Sequence, residues 1–250
     1  MLSVDDYLVA LGREGAVFAA TVAAGDLAAT VPTCPEWTLR ELAHHVGRVH
    51  HWAAANVEQA RPTPLTEDEE HAAWGAMPVD ADLAAWYLGA RDRLVAALRA
   101  ARPDLVAFTF LPNAGEPRLF WARRQAHELA IHRVDAQSCA GRLDPVPDTF
   151  AVDGIDELLL GFYSRPRSRL RSATPRTFAV RARSASWIVH IGAEGARAER
   201  GDGPADCVVE GSDVDLYYAL WNRRPLHELH TAGDPALVDL WRGNAHVRWS

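Results

Sequence analysis

Glu128 and His132 stand four residues apart in a segment whose apolar residues recur at helical spacing, so both side chains leave one face of a helix and can reach a single point. At about 100° per residue that face also carries Trp121, Gln125, Ile131, Asp135 and Cys139, whereas Arg123, Ala126, Ala130, Arg133 and Gln137 fall opposite. The large apolar residues predict that the Trp121 face points inward and the arginine face outward. A carboxylate and an imidazole buried without partners are costly, and a bound cation is the simplest compensation.

An earlier helical segment offers a third ligand. His45 has Leu42, Val49 and Trp52 as its neighbours around the helix and is expected to point inward. His44 has Arg40, Glu41, Arg48 and His51 and is expected to point outward, and His50 and His51 read as solvated surface residues. His45, Glu128 and His132 would leave part of an ion's coordination sphere open, as catalytic sites do. The segment from His127 to His132 is a near miss to the protease motif HExxH, but its two histidines are five apart and diverge around the helix, so a zinc-protease site is excluded on geometry. Two points stay open in the sequence: Glu128 also has Arg124 at i,i−4 spacing, and Asp135 is equally suited to orienting His132 and to forming a cap or salt bridge.

These residues need helices to hold them. Ser3 with Asp6, Thr38 with Glu41 and Thr66 with Glu69 read as capping boxes. Leu8, Leu11, Phe18 and Val22 mark a first helix, and Leu42, Val46, Val49 and Ala53 a second. Leu83, Tyr87, Ala90, Leu94 and Leu98 mark a third long helix, and the stretch from about Leu119 to Cys139 a fourth. Val31 to Trp37 holds two prolines and reads as a breaker. Four long helices predict an N-terminal bundle over residues 1–145. Beyond the proline-containing linker at Asp144 to Pro147 the pattern changes. A helix is expected over Val152 to Tyr163, and strands over Thr177 to Ala182, Ser186 to Ile191 and Cys207 to Val209. Turns are expected over Gly192 to Gly203, and helices after Ser212 (ending near Arg224) and after Gly233. The fold class is therefore α+β, with a smaller α+β domain at 146–250.

Composition narrows the chemistry. The 250 residues carry a net charge of −7 and are 48% hydrophobic, which argues for a packed globular chain and against a nucleic-acid partner. All 26 basic residues are arginine, which removes Schiff-base and P-loop lysines. Cys34, Cys139 and Cys207 are too few and too scattered for a disulfide framework. No GxSxG, GxGxxG or CxxC spacing occurs, and no run of about 18 apolar residues, so no membrane partner and a reducing, cytoplasmic setting are expected.

Two segments carry a resemblance: Val31-Pro-Thr-Cys-Pro-Glu-Trp-Thr-Leu-Arg-Glu-Leu-Ala-His-His-Val-Gly-Arg-Val-His50 and Arg123-Arg-Gln-Ala-His-Glu-Leu-Ala-Ile-His-Arg-Val-Asp135. Together they resemble the mycothiol-dependent maleylpyruvate isomerase family, whose N-terminal domain is a DinB-like four-helix metalloprotein. The stretches at Asp153 to Leu159, Asp213 to Trp221 and Gly233 to Leu237 are similar to its C-terminal domain. The resemblance implies zinc on His45, Glu128 and His132, mycothiol as the thiol cofactor, a cleft between the two domains and a catalytic arginine in the C-terminal one. Arg223 is the match for that arginine, with Arg224 nearly as good. It implies isomerisation of maleylpyruvate type or a related thiol transfer to a small electrophile. A non-catalytic metal- or ligand-binding module of the same class, or a structural zinc, is the alternative.

Overall fold

Three helices begin with the reciprocal capping the sequence predicts. Ser3, Thr38 and Thr66 each accept a hydrogen bond from the backbone N–H three residues on, and Asp6, Glu41 and Glu69 reach back to the capping residue. In the computed structural model, which describes residues 2–111, 114–165, 168–245 and 247, these caps open α1 (Val4–Ala24), α2 (Leu39–Gln59) and the short α3 (Glu67–Trp74). α4 (Leu83–Ala100) and α5 (Pro117–Ser138) complete the helical half, α5 starting on a proline whose missing N–H costs nothing there.

The four long helices pack in the cyclic order α1, α5, α2, α4, so that each touches two neighbours extensively. α1 is long and apolar enough to cross a membrane by length and composition alone. It is a core helix here: Tyr7, Leu11, Phe18 and Val22 are buried, and it packs on α4 and α5. Close approach of α2 and α4 depends on Gly47, over which the Trp86 indole lies; a Cβ at this position would overlap the ring. His44 and His51 flank the same indole, at ring-centroid distances of 6.1 and 5.5 Å.

The Val31 to Trp37 breaker is more than a break. β1 (Thr30–Val31) and β2 (Cys34–Thr38) pair as an antiparallel hairpin, with Thr30 opposite Thr38 and Val31 opposite Cys34. A two-stranded ribbon consists of edges alone, where proline is tolerated.

This helical unit runs to Asp144, and a second compact unit takes over from Pro145. α6 (Asp148–Asp156) continues into a π-helical turn at Glu157–Phe162, in place of the single helix expected to Tyr163. A five-stranded sheet follows in the order β5-β4-β3-β6-β7, with only β3 and β6 parallel. Its strands are β3 (Arg176–Arg181), β4 (Ser186–Gly192), β5 (Gly195–Arg200), β6 (Cys207–Glu210) and β7 (His230–Gly233). Register places Phe178 opposite Val189 and Cys207, and Val180 opposite Trp187 and Val209, so one face is continuously apolar. Helices cover it. α7 (Asp213–Leu220) packs on α6, and Trp241 of α8 (Pro235–Asn244) stacks on Phe178 at 5.2 Å. α7 ends at Leu220, one turn short of the expected Arg224.

β5 and β7 correct the expectation of turns and unassigned chain. Both are edge strands whose side chains are charged, small or exposed, so neither shows an apolar alternation.

Candidate metal centre

α5 is buried on every side. Between Phe120 and Gln137 only Arg123 is not buried, which overturns the expected outward face. Ala126 and Ala130 are fully buried, and α5 packs extensively on α1. Arg133 finds Glu14 of α1 at 2.7 Å and Gln137 at 2.7 Å, so its charge is paired within the core. The inward expectation for Glu128 and His132 holds.

α2 brings His45 to the same point. His45 Nε2 lies 3.3 Å and His132 Nε2 3.2 Å from one oxygen, Oε1 of Glu128, and the three ligand atoms all fall within 4.8 Å of one another. A tetrahedral ion with bonds of about 2.0–2.1 Å spaces its ligand atoms about 3.3 Å apart, and the two imidazole-to-carboxylate separations match that spacing. The second oxygen of Glu128 accepts from Arg124 Nη2 at 3.1 Å. The Glu128–Arg124 pair anticipated from spacing therefore exists, but buried, and it leaves Oε1 to the histidines.

The electrostatics follow. Burial alone would raise the Glu128 pKa; the facing histidines and Arg124 outweigh it and hold the carboxyl well below its usual range. Burial alone would lower that of His132; the carboxylates of Glu128 and Asp135 outweigh it and raise it to about 9. Burial lowers His45. Without an ion, a proton on His132 separates the two carboxylates at Nδ1 and Nε2.

Asp135 takes the first of the two roles left open for it. Its Oδ2 accepts from His132 Nδ1 at 2.8 Å, which turns the Nε2 lone pair toward Glu128 and His45. His127 points elsewhere and meets the edge of Tyr7 on α1 at 6.2 Å. His50, expected at the surface, is fully buried beside Tyr87, and His44 and His51 are half-buried against Trp86. In the second unit, Arg223 follows α7, its backbone N–H bonded to Tyr218 and its Nη1 to the Trp221 carbonyl at 2.7 Å. Arg224 is held by Asp215 and Glu228.

Residues 8–137 match the family described as Mycothiol maleylpyruvate isomerase N-terminal domain, and residues 149–240 match the MDMPI C-terminal domain. The chain belongs to the mycothiol maleylpyruvate isomerase family. Two solved structures share its fold: the mycothiol-dependent maleylpyruvate isomerase and a histidine-to-alanine mutant of it. Each is 16% identical, with a TM-score of 0.63 over 92% of this chain and 93% of that chain. No curated protein matches it. Within the family domain the helical site gathers residues that spacing alone did not reveal. Thr33 and Trp37 come to it from the β1–β2 hairpin, and their signal was only their place in the quoted motif.

Proposed function

We propose that this chain is a zinc-dependent enzyme that uses mycothiol as its thiol cofactor and acts on a small carboxylated electrophile, by isomerisation of maleylpyruvate type or a related thiol transfer. The observation that carries this reading is the convergence of two imidazole Nε2 atoms on Oε1 of Glu128 within 3.3 Å, inside a domain of this family. His45, Glu128 and His132 hold the ion and leave a position for the thiol. When bound, the ion would favour the thiolate of a coordinated thiol, the nucleophile that isomerisation or thiol transfer needs.

The protein's own groups set the conditions for this. Arg124 neutralises the outer oxygen of Glu128, so the carboxylate can offer Oε1 without a buried uncompensated charge. Asp135 keeps His132 in the tautomer with Nε2 available. Arg223 is the residue we assign to the substrate carboxylate, for which a guanidinium fork is suited. Arg224, nearly as good a match in the sequence, is held by Asp215 and Glu228. In this reading the enzyme works in the cytoplasm, where its three free cysteines stay reduced.

The test is metal content and turnover of maleylpyruvate with and without mycothiol. Zinc bound by the wild type, lost in His45→Ala and Glu128→Ala, with thiol-dependent turnover, is the expected result. Protein that takes up no ion, or turnover indifferent to thiol, refutes the reading.

A further inference from the structure

The β1–β2 hairpin reaches the same centre from outside the helices. Thr33 Oγ1 donates to Oδ1 of Asp135 at 2.6 Å, and Cys34 Sγ donates to Oδ2 at 3.7 Å. That second oxygen also accepts from His132 Nδ1 at 2.8 Å. Trp37, at the far end of β2, packs its ring 4.6 Å from that of His45 and 6.1 Å from that of His132. Thr38, the last residue of the hairpin, caps α2, which carries His45.

Asp135 is fully buried, and its carboxylate plane is set by what its two oxygens bind. With Oδ1 tied to Thr33, Oδ2 is directed at His132. Without that tie the carboxylate can turn, and the imidazole loses the acceptor that fixes its tautomer and ring plane.

We propose that Thr33, acting through Asp135, is a positioning residue for the ion, so that the hairpin tunes the affinity of the His45, Glu128 and His132 site. The proposal rests on the ion-binding reading above. The competing account is that the Thr33–Asp135 bond only tethers the hairpin to α5 and leaves ion affinity alone.

The experiment titrates the metal-free full chain with cobalt(II) against a chromophoric chelator and records the visible absorption of the bound ion. Thr33→Val should weaken binding about tenfold and shift the absorption bands, and Thr33→Ser should restore both to within about twofold of wild type. Asp135→Asn should weaken binding about 10- to 100-fold. If the Asp135 variant fails to fold, the Val and Ser pair decides, with thermal unfolding of the metal-free proteins as the check on folding. Wild-type affinity and spectrum in Thr33→Val, alongside at least hundredfold weaker binding in His45→Ala, overturns the positioning role and leaves the site standing. Equally weak cobalt binding by wild type and His45→Ala overturns both.

Discussion

Nε2 of His132 stands 3.2 Å from Oε1 of Glu128, a separation that either a shared proton or a shared ion can satisfy. Because the carboxylates raise the His132 pKa to about 9, the ion must displace a proton at neutral pH. Apparent zinc affinity should therefore rise about tenfold per pH unit from pH 6 to pH 8 and flatten near pH 9. Calorimetry in buffers of different ionisation enthalpy should find about one proton released per ion. A pH-independent affinity across that range would contradict the arrangement.

His50 predicts acid sensitivity of the fold. Burial lowers its pKa to about 3, against about 6.5 in an unfolded chain. Below pH 6.5 the unfolded state takes up a proton that the folded state refuses, so the neutral imidazole's contribution is full above pH 6.5 and is lost as pH falls. The slope is at most about 1.4 kcal/mol per pH unit. His50→Phe should reduce the stability lost between pH 7.5 and 5 by about 2 kcal/mol, read from urea unfolding at the two pH values. His44, His45 and His51 shift in the same direction and keep part of the slope in the variant.

The Glu14–Arg133 pair should behave as a buried ion pair does when one partner is removed. Both side chains are almost fully buried, and the bond is 2.7 Å long. Glu14→Ala removes a buried carboxylate from the guanidinium and should cost about 3–5 kcal/mol. Glu14→Ala combined with Arg133→Met, which removes both charges, should recover most of that loss in denaturant titrations.

Gly47 of α2 lies against the Trp86 ring of α4. Gly47→Ala should destabilise the protein by about 1–3 kcal/mol, because the new methyl overlaps the Trp86 ring. Adding Trp86→Leu should make the alanine tolerable. If thermal midpoints of the single and double variants fall in the opposite order, the ring does not occupy that space.

What the sequence conveyed tracks what has a local physical signature. The capping boxes at Ser3, Thr38 and Thr66 are three-residue patterns and appear where read. The convergence of His45, Glu128 and His132 came from helical phase, which needs only the spacing and the knowledge of which face is apolar. The same reasoning failed for Arg133 and His50. It treats polar as outward, whereas Arg133 is paired with Glu14 on another helix and His50 is buried as a neutral ring packed against Tyr87. β5 and β7 escaped because an edge strand has no buried row of side chains to betray it. The role of Asp135 could be posed but not chosen from spacing; the 2.8 Å contact of its Oδ2 with His132 Nδ1 decides it.

α5 serves two masters on adjacent residues. His132 faces Glu128 and Arg133 faces Glu14, on different sides of one helix with almost no exposed position between Phe120 and Gln137. Inserting or deleting a single residue between Glu128 and His132 turns everything beyond it by about 100° relative to Glu128. Such a change would swing the imidazole away from Glu128 and carry the guanidinium off its partner in the same stroke. The stretch of α5 from Glu128 to Arg133 therefore has a fixed count of residues, and a chain that altered it would have to rebuild both sides at once.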